Sequence, residues 1–266
     1  MDAEGRGERS LSEGPPPSIR LWSPEDGVRR VLVVTAHPDD VDFGAAGTVA
    51  AFTAAGVEVT YCMVTNGDAG GSDRDMTRAE MAALRQDEQR AAAATVGVRD
   101  VRFLGHPDGM VQPTLELRRD VSRVIRQVRP QRVVTQSPER NWSSIFASHP
   151  DHLATGEAAV CAVYPDARNP FAHPELLEVE GLEPWHVSEL WVMGGPAGPR
   201  PEGTGIAVDT TSTVERKVAA LLCHKSQIPD SEGVTRRILE GARAQGERAG
   251  LPEGSSAELF GVTRIP

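Results

Sequence analysis

The chain has 266 residues, 39% of them hydrophobic, which suits one substantial domain with an ordinary buried core. Its 28 basic and 38 acidic side chains give a formal net charge of −10, which argues against a nucleic-acid partner because phosphate binding needs clustered lysine and arginine. No apolar run approaches the ~20 residues that cross a bilayer, and the three cysteines are too widely spaced for a disulfide framework, so we expect a cytoplasmic protein without membrane contact.

Short β-branched runs alternate with stretches of helical period along most of the chain. Residues 1–27 precede them and are predicted to form a flexible tail, because they are charged and proline-rich. The alternation is typical of βαβ units and predicts an α/β fold with a mostly parallel sheet flanked by helices. The predicted strands span 30–36, 57–65, 101–104, 132–136 and 188–193, and the predicted helices span 45–55, 76–96, 115–128, 151–163 and 213–223.

The composition changes after residue 164, where proline and glycine become frequent. We predict one domain over 28–266, within which 164–266 forms a C-terminal cap. Residues 229–255 are polar and charged, which favours a mobile segment or lid. In the long helix predicted over 76–96, the period places Met81, Leu84, Ala91 and Ala92 on the inner face.

Two short histidine motifs carry the chemistry that the sequence suggests. AHPDD spans 36–40 and SHPDH spans 148–152, and each lies between a predicted strand and a predicted helix. In open α/β sheets such loops lie at the carboxyl ends of the strands, where ligands bind. Residues three apart at a helix start face the same side. We therefore predict that His37, Asp40 and His152 supply the three protein ligands of a catalytic zinc.

Two neighbouring residues are predicted to perform the catalysis. Asp39 can take a proton from the water that the metal activates and pass it to the departing amine. His149 can stabilise the tetrahedral oxyanion or act as the acid, and the sequence leaves both roles open.

A single His-Pro-Asp tripeptide usually indicates only a turn or a helix cap, so the prediction depends on the two copies. The tripeptide His106–Asp108 serves as an internal control, because Gly109 stands where a second ligand would follow. We do not interpret it as a metal site.

These motifs resemble the LmbE-like or PIG-L family of zinc-dependent N-acetylglucosaminyl deacetylases. The resemblance runs from about residue 30 to 163 and implies a Rossmann-like α/β fold with one zinc ion per chain. It implies zinc ligation by His37, Asp40 and His152, a general base at Asp39 and an assisting histidine at His149. It also allows a homo-oligomer, since the family includes hexamers.

The resemblance suggests substrate contacts at four further positions, each with a plainer alternative. The alternatives are a solvated charge for Arg85, a turn former for Asp108, and a core or capping residue for His224, in His-Lys-Ser-Gln. Several family members place a Tyr or Arg just before the second motif to polarise the amide carbonyl. Ala147 and Ser148 stand there, so Arg140 or Trp142 is the candidate. The first motif also departs from the family pattern, with Val41 and then Asp42 where Glu is common.

The sequence therefore predicts a hydrolase that removes the acetyl group of an N-acetylglucosamine-type amino sugar. Two alternatives stay open: a zinc amidase that acts on a thiol conjugate or another N-acyl metabolite, and a non-catalytic sugar- or nucleotide-binding module. Within the last alternative, nucleotide binding has little support, because the chain has neither a GxGxxG motif nor a P-loop.

Overall fold

A computed structural model describes residues 19–71, 73, 75–142, 145–194 and 205–266. Its centre is a single eight-stranded sheet. The strands are β1 (Ile19–Leu21), β2 (Arg30–Thr35), β3 (Glu58–Thr65), β4 (Asp100–His106), β5 (Arg132–Thr135), β6 (Glu189–Met193), β7 (Gly205–Asp209) and β8 (Ala257–Arg264).

The sheet has the order β1-β7-β8-β6-β5-β2-β3-β4. Five of the strand pairs are parallel, and only β8 runs antiparallel to its neighbours β6 and β7. The prediction of a mostly parallel α/β sheet is therefore confirmed. The central strands are buried on both faces, which explains why β2 is an unbroken apolar run from Val31 to Val34.

Helices cover both faces of the sheet. They are α1 (Asp40–Gly44), α2 (Ala46–Ala54), α3 (Arg78–Thr95), α4 (Leu115–Val128), α5 (Pro150–Val163), α6 (Pro174–Glu178), α7 (Val214–Leu221) and α8 (Ser231–Arg248). On one face α2, α3 and α7 pack over a core that contains Val31, Val33 and Phe52, and on the other α4 and α5 pack over Leu32 and Val34.

The chain reverses its direction of winding at β2. It passes from β2 to β3 and β4 on one side, then returns to β5 on the other side of β2. In open α/β sheets the crevice at the carboxyl ends of the strands beside such a switch point is the usual ligand site. Both histidine motifs lie in the segments that follow β2 and β5.

In the C-terminal part of the chain, β6 and α7 lie where a strand and a helix were predicted. The strands β6, β7 and β8 are part of the main sheet. The segment expected to be mobile holds the 18-residue helix α8, in which Val234, Ile238 and Ala242 recur every four residues along one face. No helix within the described ranges is both long and apolar enough to span a membrane.

Two other predictions need correction. Most of the predicted tail lies outside the described residues, but Ile19–Leu21 pairs in parallel with β7 as an edge strand. In α3, Leu84 and Ala91 are exposed rather than inward-facing. The buried face of this helix includes the polar residues Arg85, Glu88 and Gln89, which its apolar period does not reveal.

Candidate active site

The first motif forms the turn that joins β2 to α1. The strand ends at Thr35, and the next backbone N–H, that of Ala36, donates to Gln136 Oε1 at 2.9 Å. The backbone N–H of His37 donates to Asp40 Oδ2 at 2.7 Å, which closes the turn and brings the two side chains together.

The second motif forms the N-terminus of α5. His149 is the N-cap residue, and Pro150 occupies the first helical turn, where its missing N–H has no partner to lose. His149 Nδ1 accepts the backbone N–H of Asp151 at 3.2 Å. In a neutral ring the proton therefore resides on Nε2, which leaves a donor available to a ligand.

The three predicted ligands converge. His37 Nδ1 lies 3.3 Å from Asp40 Oδ2 and 3.2 Å from His152 Nε2, and His152 Nε2 lies 3.0 Å from Asp40 Oδ1. Tetrahedral zinc with nitrogen and oxygen ligands at 2.0–2.1 Å separates those ligands by about 3.3 Å. The donor set and its spacing therefore fit a zinc ion. His149 contributes a further nitrogen, within 4.8 Å of nitrogens of His37 and His152.

The other nitrogen of His37 faces two carboxylates. His37 Nε2 lies 3.2 Å from Asp151 Oδ2 and 3.2 Å from Asp108 Oδ1. Asp151 is fully buried and accepts the backbone N–H groups of Gly109 at 2.7 Å and Val111 at 3.3 Å. A carboxylate behind a metal-bound histidine fixes the ring and its tautomer. Asp151 is not among the predicted site residues, although its place between the two histidines of HPDH is a signal.

The electrostatics of this cluster favour a cation. Burial lowers the pKa of His37, but Asp108, Asp151 and Asp40 raise it to about 12. Burial raises the pKa of Asp40, and the contacts with His152 and His37 outweigh it, so that the net shift is downward. The imidazole of His37 thus lies among carboxylates that would equally stabilise a divalent ion.

Asp39 differs from its neighbour Asp40 in backbone conformation and in the pKa of its carboxyl group. Its φ of 94° lies in the left-handed region, which costs a non-glycine residue of the order of 1–3 kcal/mol. Burial and the charge of Asp40 raise the pKa of its carboxyl to about 7, against the opposing effects of Arg85, His224 and His37. The carboxylate is therefore next to the ligand cluster and easily protonated.

Arg85 reaches this turn from α3. It is 4% exposed, and Nη2 donates to the carbonyl oxygen of Pro38 at 2.6 Å and to Asp39 Oδ2 at 3.1 Å. Its Nη1 donates to the carbonyl oxygen of Gly67 at 3.1 Å. A Cβ atom at Gly67, whose φ is +69°, would come within 2.7 Å of the guanidinium carbon. The glycine-rich loop after β3 therefore allows Arg85 to approach, and substrate contact by Arg85 stays a prediction.

Asp108 is held in place from several sides. Its Oδ2 accepts the backbone N–H of Ala69 at 3.1 Å, and its own N–H donates to Asp68 Oδ1 at 3.1 Å. Burial raises the pKa of Asp108, but His37 and the Ala69 N–H bring the net shift below its ordinary value. Both carboxylate oxygens are thus occupied within the protein, so any sugar contact would be additional.

Arg140 lies in the loop before α5. Its side chain is exposed, Nη1 donates to the carbonyl oxygen of Ser148 at 3.3 Å, and the guanidinium lies 5.7 Å from the ring centroid of Trp142. Ser148 immediately precedes His149, so this hydrogen bond joins Arg140 to the second motif. Arg140 remains the candidate for the amide carbonyl.

The structure does not place His224 at the surface of the candidate active site. Its side chain is 0% exposed, and Nε2 lies 2.8 Å from Asp42 Oδ2. Direct contact with a substrate is excluded in this arrangement, and the alternative of a core histidine applies. The control histidine, His106, lies 3.2 Å from Asp120 and away from the ligand set.

Eight strands with a His–Asp–His cluster at the switch point define an α/β protein with a candidate metal centre. Residues 32–163 match the PIG-L family, described as GlcNAc-PI de-N-acetylase. The diacetylchitobiose deacetylase of Thermococcus kodakarensis is 30% identical over 212 residues, which cover 80% of this chain and 75% of that protein. The chain therefore belongs to the PIG-L family.

Two further similarities support this membership. The probable N-acetyl-α-D-glucosaminyl L-malate deacetylase 2 of Bacillus cereus is 35% identical over 206 residues, which cover 75% of this chain and 84% of that protein. The N,N'-diacetylchitobiose deacetylase of Pyrococcus horikoshii, solved with an inhibitor, superposes with a TM-score of 0.80 at 28% identity. That superposition covers 91% of this chain and 86% of the other.

Proposed function

We propose that the chain is a zinc-dependent hydrolase that removes the acetyl group from the N-acetyl amide of an N-acetylglucosamine-type sugar. The observation that carries this proposal is the convergence of His37 Nδ1, Asp40 and His152 Nε2 within 3.0–3.3 Å of one another. The adjacent Asp39 carboxyl is close enough for the charges of Asp40 and His37 to shift its pKa. The family and the named activities of the two deacetylases that are similar in sequence support the reaction class.

The three ligand residues would hold one zinc ion per chain. When bound, such an ion lowers the pKa of a water molecule to about 7 and polarises an amide carbonyl. The protein contributes the fixed orientation of the ligands: Asp151 holds the His37 ring from behind, and the turn of residues 37–40 holds Asp40.

Asp39 acts as the general base and then as the general acid. It accepts a proton from the attacking water as the oxygen bonds to the carbonyl carbon, and it gives that proton to the nitrogen as the C–N bond breaks. Acetate and the free amine of the sugar leave. The position of Asp39 beside Asp40 and Arg85 suits a group that must hold the proton only briefly.

His149 stabilises the oxyanion. Its Nδ1 is occupied by the Asp151 N–H, so Nε2 is the free nitrogen that can donate to the negative oxygen of the tetrahedral intermediate. The exposed Arg140 adds a second donor for the amide carbonyl from the loop before α5. These two groups take the place of the Tyr or Arg that the family resemblance led us to expect next to the second motif.

The identity of the sugar substrate, the cellular location and the oligomeric state all remain part of the proposal. We place the enzyme in the cytoplasm, which the free state of Cys62, Cys161 and Cys223 supports. A homo-oligomer is a prediction from the family resemblance.

The test combines metal analysis with a substrate panel. We expect about one zinc per purified chain, loss of acetate release after chelation, and recovery when zinc is restored. The panel compares N-acetylglucosamine, N,N'-diacetylchitobiose and N-acetylglucosaminyl malate with simple N-acyl amines and thiol conjugates. Preference for the amino sugars supports the proposal. Zinc-dependent cleavage of the other amides alone favours the amidase alternative, and a protein that binds no zinc contradicts both.

A further inference from the structure

A buried chain of hydrogen bonds ends on the backbone of Asp39. The backbone N–H of Asp39 donates to Gln89 Oε1 at 2.7 Å, and Gln89 Nε2 donates to Asp42 Oδ2 at 2.9 Å. The same Asp42 oxygen lies 2.8 Å from His224 Nε2. The side chains of Gln89, Asp42 and His224 are all fully buried.

In this chain of hydrogen bonds, the orientation of the Gln89 amide is set at the Asp42 end. A glutamine amide offers an acceptor at one end and donors at the other. The Asp42 carboxylate oxygen only accepts, so Gln89 must present its NH₂ group to Asp42 and its oxygen to Asp39. His224 holds Asp42 in turn, which fixes the amide in this orientation.

The segment that carries His224 is itself fastened to α3. Glu88, next to Gln89 on this helix, accepts the backbone N–H of Ser226 at 2.8 Å and its hydroxyl at 2.6 Å. Helix α3 and residues 224–226 therefore form one framework behind the turn. Arg85, one helical turn before Gln89, holds the Pro38 carbonyl and the Asp39 carboxylate from the same helix.

We propose that Gln89 is a positioning residue for the reaction: its amide holds Asp39 in the left-handed backbone conformation in which the carboxylate pairs with Arg85, within the turn that also carries His37 and Asp40. This inference rests on the proposed role of Asp39 as the base. The positive φ of Asp39 is unfavourable for a non-glycine residue and persists only where its surroundings enforce it. The 2.7 Å hydrogen bond from the Asp39 N–H to the buried amide oxygen of Gln89 holds the backbone in this conformation.

The experiment replaces the amide by a side chain of similar length. In Gln89→Met both hydrogen bonds are lost, whereas the ligands His37, Asp40 and His152 are unchanged. The matched control is Gln245→Met, because Gln245 Oε1 also accepts a backbone N–H from another element, that of Leu259 at 3.0 Å, away from the active site. If the methionine variant does not fold, Gln89→Asn carries the same test, since it is one methylene too short to reach both partners.

We expect kcat of Gln89→Met to fall roughly 10- to 100-fold with KM within about twofold and with zinc content unchanged, since small misplacements of a catalytic group have effects of this size. Amide hydrogen exchange over residues 36–42 should be faster in Gln89→Met, with and without zinc, and unchanged in Gln245→Met. An unchanged kcat, loss of zinc in proportion to activity, or wild-type exchange over 36–42 would each overturn the inference. A wild-type protein without deacetylase activity would instead contradict the proposed function, and the exchange measurement would still test the contact.

Discussion

The tripeptide His-Pro-Asp occurs at residues 37–39, 106–108 and 149–151, and the first two copies, which follow β2 and end β4, have different fates. In the first, the histidine enters the ligand cluster. In the second, His106 pairs with Asp120 on α4, and Asp108 turns toward His37 instead. The difference lies three residues after the histidine, where Asp40 stands in one copy and Gly109 in the other. The tripeptide gives a turn at a strand end, and the residue that follows determines whether the turn can hold an ion.

The largest effect is expected when the histidine of the first copy is removed. His37→Ala deletes the nitrogen that faces both Asp40 and His152, so we expect loss of stoichiometric zinc and of measurable acetate release. Elemental analysis and an acetate assay measure both. Zinc at one equivalent in folded His37→Ala protein would contradict the ligand assignment.

Asp39→Asn separates catalysis from metal binding within the same turn. Asparagine tolerates a positive φ, so the backbone should be retained. We expect zinc to remain and kcat to fall by about 10²–10⁴-fold, the usual contribution of general acid–base catalysis. Steady-state kinetics with metal analysis provide the check, and near-normal turnover would rule out Asp39 as the base.

Asp151→Asn tests the residue that links the first two copies of the tripeptide. Asp151 receives the Gly109 and Val111 N–H groups from the loop after the second copy and lies beside His37 of the first. Asparagine carries no negative charge to orient the His37 ring, and with its oxygen toward His37 and Gly109 its NH₂ group faces the Val111 N–H, so zinc affinity should fall by about 10- to 100-fold. Titration against a competing chelator measures this change. Wild-type affinity would mean that Asp108 alone orients the ring.

The smallest effect is expected for His106→Ala. The pair with Asp120 is partly exposed, with side-chain exposures of 19% and 16%, and such pairs contribute up to about 1 kcal/mol. The melting temperature should fall by a few degrees at most, and zinc content and kcat should remain those of the wild type. A zinc-deficient His106→Ala protein would show that the second copy belongs to the metal site.

The sequence predicted the elements whose signals are local. Helix α4 has the predicted bounds, because Thr114 caps it, its apolar residues follow one face and Pro130 follows its end. The strands β1, β7 and β8 were not predicted, since each owes its place to partners far along the chain. The helix α8 was missed because its buried residues are few and small.

At the candidate site, too, local patterns were predicted and long-range contacts were not. The spacing within each motif was enough to bring His37, Asp40 and His152 into one hypothesis. The role of Asp151 behind the His37 ring depends on the loop after β4, which no local pattern connects to α5. For His224, a motif resembling a segment near the active site did not indicate which way the side chain points. The structure turns it into the core against Asp42.

The placement of β8 has a consequence for biosynthesis. It is the last strand in chain order, yet it lies between β6 and β7 and is what joins β7 and β1 to the rest of the sheet. While residues 257–264 are still inside the ribosome, β6 presents an unpaired edge, and β7 with β1 has nothing to join. Until residues 257–264 emerge, the nascent chain exposes the unpaired edge of β6, so a chain that stops before residue 257 should aggregate rather than fold as a smaller domain.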